Sequence, residues 1–284
     1  EKTMNRWTKF FYTMLLTPLL LLGETSPFTL ITIPKAGSHL FIKALHFMTG
    51  SPAIWHTFFP SSCYISPEKG FLYTHFCLTP QLEQNYRALP KLKKIIVVRD
   101  LRDVAVSIVG QICKAPWPGM TLEERNAFKK LPFDQQLLFV INYEYDVYKV
   151  AKNAPNSNQA SLARVARQAV QYALDTKNLV VRYENMVGEE GGGSLALQLD
   201  ELHKLAKFIG LELEDEQIHH IASQLYGNEQ NPFGKEELAN YQSTFSKGKI
   251  GSWKTAFNEA HKQAFKAKVG KALIDLGYEK SMDW

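Results

Sequence analysis

Three short segments and one histidine carry side chains suited to holding and transferring an anionic group. The first segment is PKAGSHL at residues 34–40. Gly37 lets the backbone approach a ligand closely, Ser38 and His39 offer side-chain donors, and Lys35 is a compact point charge. Where such a turn leads from a strand into a helix, unpaired N–H groups and the positive end of the helix dipole face a phosphate-like group. In a Walker A loop the lysine follows the last glycine as Gly-Lys-Ser/Thr. Here Lys35 precedes Gly37, which disfavours a standard nucleoside triphosphatase. An ordinary strand-to-helix turn with a solvated lysine has the same composition.

The second segment is VRDLRDVAVS at residues 98–107, in which Arg99 and Ser107 stand eight residues apart. They can converge on one phosphate, the arginine through its planar fork and the serine through its hydroxyl. The same stretch also suits a helix-capping network, with Asp100 or Asp103 at the helix start and Arg102 paired with a carboxylate; both readings can hold together. The third, FSKGKIGSWK at 245–254, has two glycines, three lysines and a tryptophan, the makings of an anion-holding flap or of a solvated basic turn. Among eight histidines, His75 in YTH at 73–75 closes a strand candidate, where it serves as a general base or as a structural residue. Cys63, Cys77 and Cys113 are widely spaced, with no Cys-x-x-Cys and no Cys/His ligand pattern, so they read as reduced thiols of a cytoplasmic protein, with no metal site.

The elements that must position these residues follow from periodicity. Runs of β-branched and apolar residues at 28–33, 70–74, 94–98 and 178–182 read as strands. Helical spacing follows at 40–48 and 103–109, and long helices are expected over 133–152 and 159–175. Near-continuous apolar strands alternating with helices predict an α/β fold, a central parallel sheet flanked by helices and buried on both faces. Residues 28–284 read as a single domain, with the Gly-rich stretch 188–194 as a flexible surface loop. The apolar run 10–22 follows Arg6 and Lys9 but contains Pro18 and falls short of the roughly 18 residues a spanning helix needs. Residues 1–27 therefore read as an N-terminal apolar segment packed on the domain or, alternatively, making peripheral contact with a membrane surface. With 284 residues, 45% hydrophobic, 21% charged and a net charge of +5, the composition is globular and suits a small anionic ligand better than a nucleic-acid track.

Taken together and in this order, the segments resemble the cytosolic sulfotransferase family, which depends on 3′-phosphoadenosine 5′-phosphosulfate. That family's donor loop PKSGTTW is matched by PKAGSHL, its arginine with a serine eight residues on by Arg99 and the DVAVS ending at Ser107, and its RKGxxGDWK by SKGKIGSWK. The resemblance spans residues 28 to about 278 and implies a P-loop-like sulfotransferase fold. It implies that Lys35, Ala36, Gly37, Ser38, His39 and Leu40 form the donor loop, with Lys35, Gly37, Ser38 and His39 on the 5′-phosphosulfate. Arg99 and Ser107 are implied to hold the 3′-phosphate beneath Lys247 and Gly248, and Tyr183, Ser223 and Leu225 to contact the adenine. His75 matches the family's general base, with Lys35 also neutralising charge on the departing oxygen. No metal is implied.

Several positions depart from the family pattern. Leu40 replaces a tryptophan that stacks on adenine, Tyr73 a lysine, Ser246 an arginine, Ser252 an aspartate and His39 a threonine. The family's dimerisation motif is not preserved at 254–263. Aromatic residues in 51–59 and 113–120, where family members line the acceptor pocket, point to a phenol, alcohol or lipid-like small-molecule acceptor. Two alternatives remain, a catalytically silent nucleotide-binding homologue and a small-molecule kinase.

Overall fold

The computed structural model describes residues 26–55, 70–89, 91–115, 120–146, 159–226 and 248–284. The apolar N-terminal run, Lys247, and residues 56–59 and 116–119 of the two aromatic acceptor segments lie outside them. Among the described residues, no helix is long and apolar enough to cross a membrane.

Five parallel strands form the central sheet: β1 (Phe28–Thr32), β2 (Ala53–Trp55), β3 (Phe71–His75), β4 (Lys93–Val98) and β7 (Leu179–Arg182), in the order β2-β3-β1-β4-β7. All residues of β1 are buried, as expected for the middle of a sheet covered on both faces. The register carries the functional consequence. Thr32 pairs with His75 on one side and Val97 on the other, and Val98 pairs with Arg182. Because the strands run in one direction, the chain leaves β1, β3, β4 and β7 along a single edge. The loop after Thr32, His75, Arg99 and Tyr183 are thereby delivered side by side at the carboxyl ends of the strands, where open α/β sheets bind ligands.

Helices cover the sheet: α1 (Ser38–Thr49), α2 (Pro80–Ala88), α3 (Leu101–Lys114), α4 (Leu122–Lys130) and α5 (Phe133–Asn142) precede α6 (Leu162–Ala173) and the short α7 (Tyr183–Met186). They are followed by α8 (Leu195–Ile209), α9 (Asp215–Leu225), the short α10 (Trp253–Ala256) and α11 (Glu259–Asp275). One apolar cluster runs through them from Phe28 to Leu276, with Leu30, Ile31, Phe41, Ile95, Ile96 and Phe265 inaccessible to water.

The expected long helices are shorter. The helix expected over 133–152 stops at Asn142, where Tyr143 turns extended and the strand β5 (Glu144–Asp146) begins. Its antiparallel partner β6 (Gln159–Ser161) occupies the start of the second expected helix, and Ser161 then caps α6 by accepting from the Arg164 N–H at 3.2 Å. A hairpin-like pairing thus replaces helix at two facing ends, a long-range contact that local periodicity does not report. The Gly-rich stretch is also not merely a surface loop. Gly191 is buried, and its carbonyl accepts from the Ile250 N–H at 3.1 Å, while Lys249 Nζ donates to the Glu190 carbonyl at 2.6 Å. A Cβ at Gly191 would meet Val187 and the Gly248 carbonyl, so glycine there serves a close approach of two chain segments.

Candidate active site

The loop after β1 folds back on itself, with the Ala36 N–H donating to the Ile33 carbonyl at 2.9 Å. Lys35 (φ 67°) and Gly37 (φ 84°) both take the left-handed conformation. Glycine does so freely, whereas a lysine there costs roughly 1–2 kcal/mol. Gly37 also stands at the start of α1, where no side chain caps the helix, and a Cβ on it would run into the Tyr183 ring. The first turn of α1 thus opens on the space beneath Tyr183 with its N–H groups and dipole unmasked by a side-chain acceptor.

A hydroxyl relay joins this loop to the histidine on the neighbouring strand. Ser38 Oγ lies 2.7 Å from Thr32 Oγ1, which lies 2.6 Å from His75 Nδ1. The β1–β3 register accounts for the contact, since Thr32 and His75 are paired residues. Burial, then the nearby His39 and Lys35, lowers the His75 pKa to about 3; burial and Lys35 lower His39 to about 4. Lys35 is lowered to about 8 by burial, Arg99 and Lys114, and its Nζ donates to Gln111 Oε1 at 2.9 Å. Near neutral pH the two imidazoles are uncharged and the ammonium is still mostly protonated.

On the other side of the loop, Arg99 is buried and donates to the carbonyls of Lys35 at 3.0 Å and Lys249 at 2.9 Å. Its guanidinium lies 4.1 Å from the centre of the Tyr183 ring, and the Tyr183 hydroxyl donates to the Gly248 carbonyl at 2.8 Å. Arg99 Nε is buried without a hydrogen-bond partner among the described residues. Asp103 accepts the backbone N–H groups of Gly251 at 2.7 Å and Trp253 at 2.9 Å, and stands 3.9 Å from Arg99. The C-terminal loop is therefore clasped over the strand ends from β4, α3 and α7 at once.

Arg102 and Asp100 serve a different purpose. Asp100 caps α3 by accepting the Arg102 N–H at 2.9 Å and binds the Arg102 guanidinium with both oxygens. That guanidinium also reaches Glu279 and lies in the corner of two near-perpendicular rings, 3.6 Å from the centre of Trp253 and 4.6 Å from that of Trp284. The capping network and the anion-facing residues coexist in one segment.

A cavity of about 630 Å³ opens over these groups. Lys35, Gly37, Ser38, His39, Leu40 and His75 line it from the β1 and β3 ends. Arg99, Ser107, Tyr183, Leu225 and Gly248 line it from the other side. Of the remaining expected site residues, Ala36 is wholly buried behind the loop and presents no side chain to the cavity. Ser223 is exposed and gives its hydroxyl to the His220 carbonyl at 2.7 Å, away from the cavity, because its position on α9 points outward while Leu225 points in. Lys247 lies outside the described residues.

Sequence reading missed Thr32, Gln111, Gln136 and Lys249 as participants, and assigned Asp103 only a capping role. Asp103, Val106, Ser107, Gly110 and Gln111 recur at helical spacing on α3, so the face carrying Ser107 implied its neighbours. Thr32 is a polar residue at the buried end of an apolar strand, a signal of its own. Among the described residues no group of three or more His, Cys, Asp or Glu side chains is arranged to hold a metal ion.

Residues 64–277 match the family model of the sulfotransferase domain. Among solved structures, mouse sulfotransferase SULT7A1 in complex with PAP is similar, with a TM-score of 0.58 at 17% identity, covering 90% of this chain and 88% of that one. Retinol dehydratase in complex with androsterone and inactive cofactor PAP gives a TM-score of 0.52 at 15% identity, covering 87% and 80%. Retinol dehydratase in complex with retinol and PAP gives 0.52 at 15%, covering 88% and 82%. No curated protein sequence matches at a significant level.

Proposed function

Since the chain belongs to the sulfotransferase-domain family and is a sulfotransferase, we propose that it transfers a sulfuryl group from 3′-phosphoadenosine 5′-phosphosulfate to the hydroxyl of a small hydrophobic acceptor, with His75 as general base. The observation that carries this reading is the convergence, on one cavity, of a neutral histidine, a half-buried lysine and the start of α1, which no side chain caps among the described residues. PAP, the bisphosphate that remains when that donor loses its sulfuryl group, is present in the similar solved structures.

The residues suit such a donor. Arg99 Nε is a buried donor awaiting an acceptor, and Ser107 lies two helical turns along α3 on the same cavity wall. These two would hold the 3′-phosphate, with Gly248 over it. Lys35, Gly37, Ser38 and His39 would hold the phosphosulfate end, and Tyr183 and Leu225 the adenine. Leu40 lines the cavity but cannot stack as an aromatic ring does, so Tyr183 supplies the aromatic surface there. When bound, the donor supplies the sulfuryl group and a stable leaving bisphosphate.

His75 accepts the acceptor's hydroxyl proton at Nε2. For that, Nδ1 carries the ring hydrogen and donates it to Thr32 Oγ1, and Thr32 passes its own hydrogen to Ser38 Oγ. The relay holds the ring orientation and accommodates that tautomer. Lys35 keeps positive charge beside the phosphosulfate as negative charge builds there. Val106, Val109, Cys113 and Phe133 add an apolar wall to the cavity, which supports a phenol or alcohol rather than a highly charged acceptor. Androsterone and retinol, held by the retinol dehydratase structures, are alcohols of that kind.

The test is transfer of labelled sulfate from the donor across a panel of phenols, sterols and other hydrophobic alcohols. Replacing His75 by Ala is expected to lower turnover by about 10²–10⁴-fold while bisphosphate affinity changes only a few-fold. Undiminished turnover in that variant overturns the assignment of the base.

A further inference from the structure

Gln111 is buried on α3, one helical turn beyond Ser107, and its side-chain oxygen accepts from Lys35 Nζ at 2.9 Å. An ammonium only donates, so the amide oxygen rather than the amide nitrogen of Gln111 must face it. A buried amide oxygen at that distance is an anchor for an ammonium on a flexible four-carbon stem.

The surroundings of Lys35 give that anchor work to do. Arg99 at the end of β4 and Lys114 at the end of α3 both repel the ammonium. His39 on α1 and His75 on β3 are the titratable groups on the opposite side, and both are neutral near pH 7. Tyr183, Lys249, Cys113 and Asp103 also line the cavity, but the Asp103 carboxylate is engaged by Gly251, Trp253 and Arg99. With cations on two sides and the Asp103 carboxylate engaged by the C-terminal loop, the Gln111 oxygen offsets part of that repulsion.

We propose that Gln111 is a positioning residue that holds the Lys35 ammonium inside the cavity shared with the uncapped start of α1, so that the cation is in place before the donor arrives. This rests on the reading of Lys35 as the donor-binding cation. Gln111 acts through Lys35 and not on the donor itself. An acceptor oxygen on the charged form favours it, so Gln111 opposes the burial and repulsion that lower Lys35. Removing the oxygen makes the ammonium easier to deprotonate, and a carboxylate in its place makes it harder.

The test measures affinity for adenosine 3′,5′-bisphosphate by calorimetry from pH 6.5 to 9.5, in the parent protein, Gln111→Leu and Gln111→Glu. In the parent, affinity is expected to fall as the pH rises through the Lys35 value of about 8. The midpoint of that fall is expected to move down by about one pH unit in Gln111→Leu and up by about one in Gln111→Glu. Cys113 is common to all three proteins, so its thiol cancels from the comparison. If Gln111 only fills space, both variants weaken binding at every pH and the midpoint stays where it is, which overturns the proposal. Should Gln111→Leu not fold, the near-isosteric Gln111→Glu decides by the same criterion. Lys35→Ala separates the two levels of inference. A fall that persists in Lys35→Ala refutes the reading of Lys35 itself; a fall that vanishes there yet is unmoved by Gln111 substitution refutes only the role of Gln111.

Discussion

Acidification from pH 7.5 to pH 5 is expected to destabilise the fold through His39 and His75. Both pKa values are lowered from 6.5, to about 4 and about 3, and burial is the leading cause in each case. The sign follows from linkage. The unfolded chain takes up a proton at each imidazole as the pH drops below 6.5, whereas the folded chain does not until near 4 and 3, so the stabilisation present above 6.5 is lost on the way down. At pH 5, 1.5 units below the unfolded value, each residue costs about 2 kcal/mol and the pair about 4 kcal/mol. Against the roughly 5–15 kcal/mol by which folded chains are stable, that is a large fraction. The assay is urea unfolding at pH 7.5, 6.5 and 5, followed by tryptophan fluorescence, since Trp253 and Trp284 pack about Arg102. The parent is compared with a His39→Gln, His75→Asn double variant, and the quantity of interest is the change with pH in each. The double variant should lose about 4 kcal/mol less than the parent. Equal losses would refute the claim that burial holds these two imidazoles neutral down to about pH 4.

Two further outcomes follow from the packing. Gly37→Ala forces a Cβ into the Tyr183 ring at a left-handed residue; it should cost at least about 1–2 kcal/mol in thermal unfolding and weaken bisphosphate binding by moving Tyr183 off Arg99. Arg102→Ala leaves Asp100 and Glu279 without their shared cation and should cost about 3–5 kcal/mol in denaturant unfolding, with Arg102→Lys restoring only part because it cannot bind Asp100 with two parallel donors.

How much of this was legible in the sequence depends on the range of the physics involved. Four strands of the sheet were readable from apolar runs because a strand buried on both faces needs nothing else. The three-residue Ala53–Trp55 strand was not, being too short to show a period and defined by its pairing with β3. The same holds for the β5–β6 pairing, which cut two expected helices short. Among the candidate site residues, Lys35, Gly37, Arg99 and Ser107 stood out in the sequence because their types are unusual at an element junction, and the structure brings them to one cavity. Ser223 was placed by counting from a motif, and helical geometry turned it outward. Thr32 and Gln111 went unread because their importance lies in which side chain they meet across the fold: one strand register and one helical face decide it.

The segment RDLRD at 99–103 shows why two readings of one stretch need not compete. Spacing on a helix start sends Arg99 and Asp103, four residues apart, to one side, and Asp100 and Arg102 to the other. The first pair meets the Lys249 carbonyl and the N–H groups of Gly251 and Trp253. The second pair meets the same loop from behind, through the Trp253 ring stacked on Arg102. A single helix start thus grips one loop by its backbone on the cavity side and by its aromatic side chain on the core side. Asp103 and Arg102 are the α3 side chains that make these contacts. The loop that carries Gly248 is thereby tied to α3 on both of its sides.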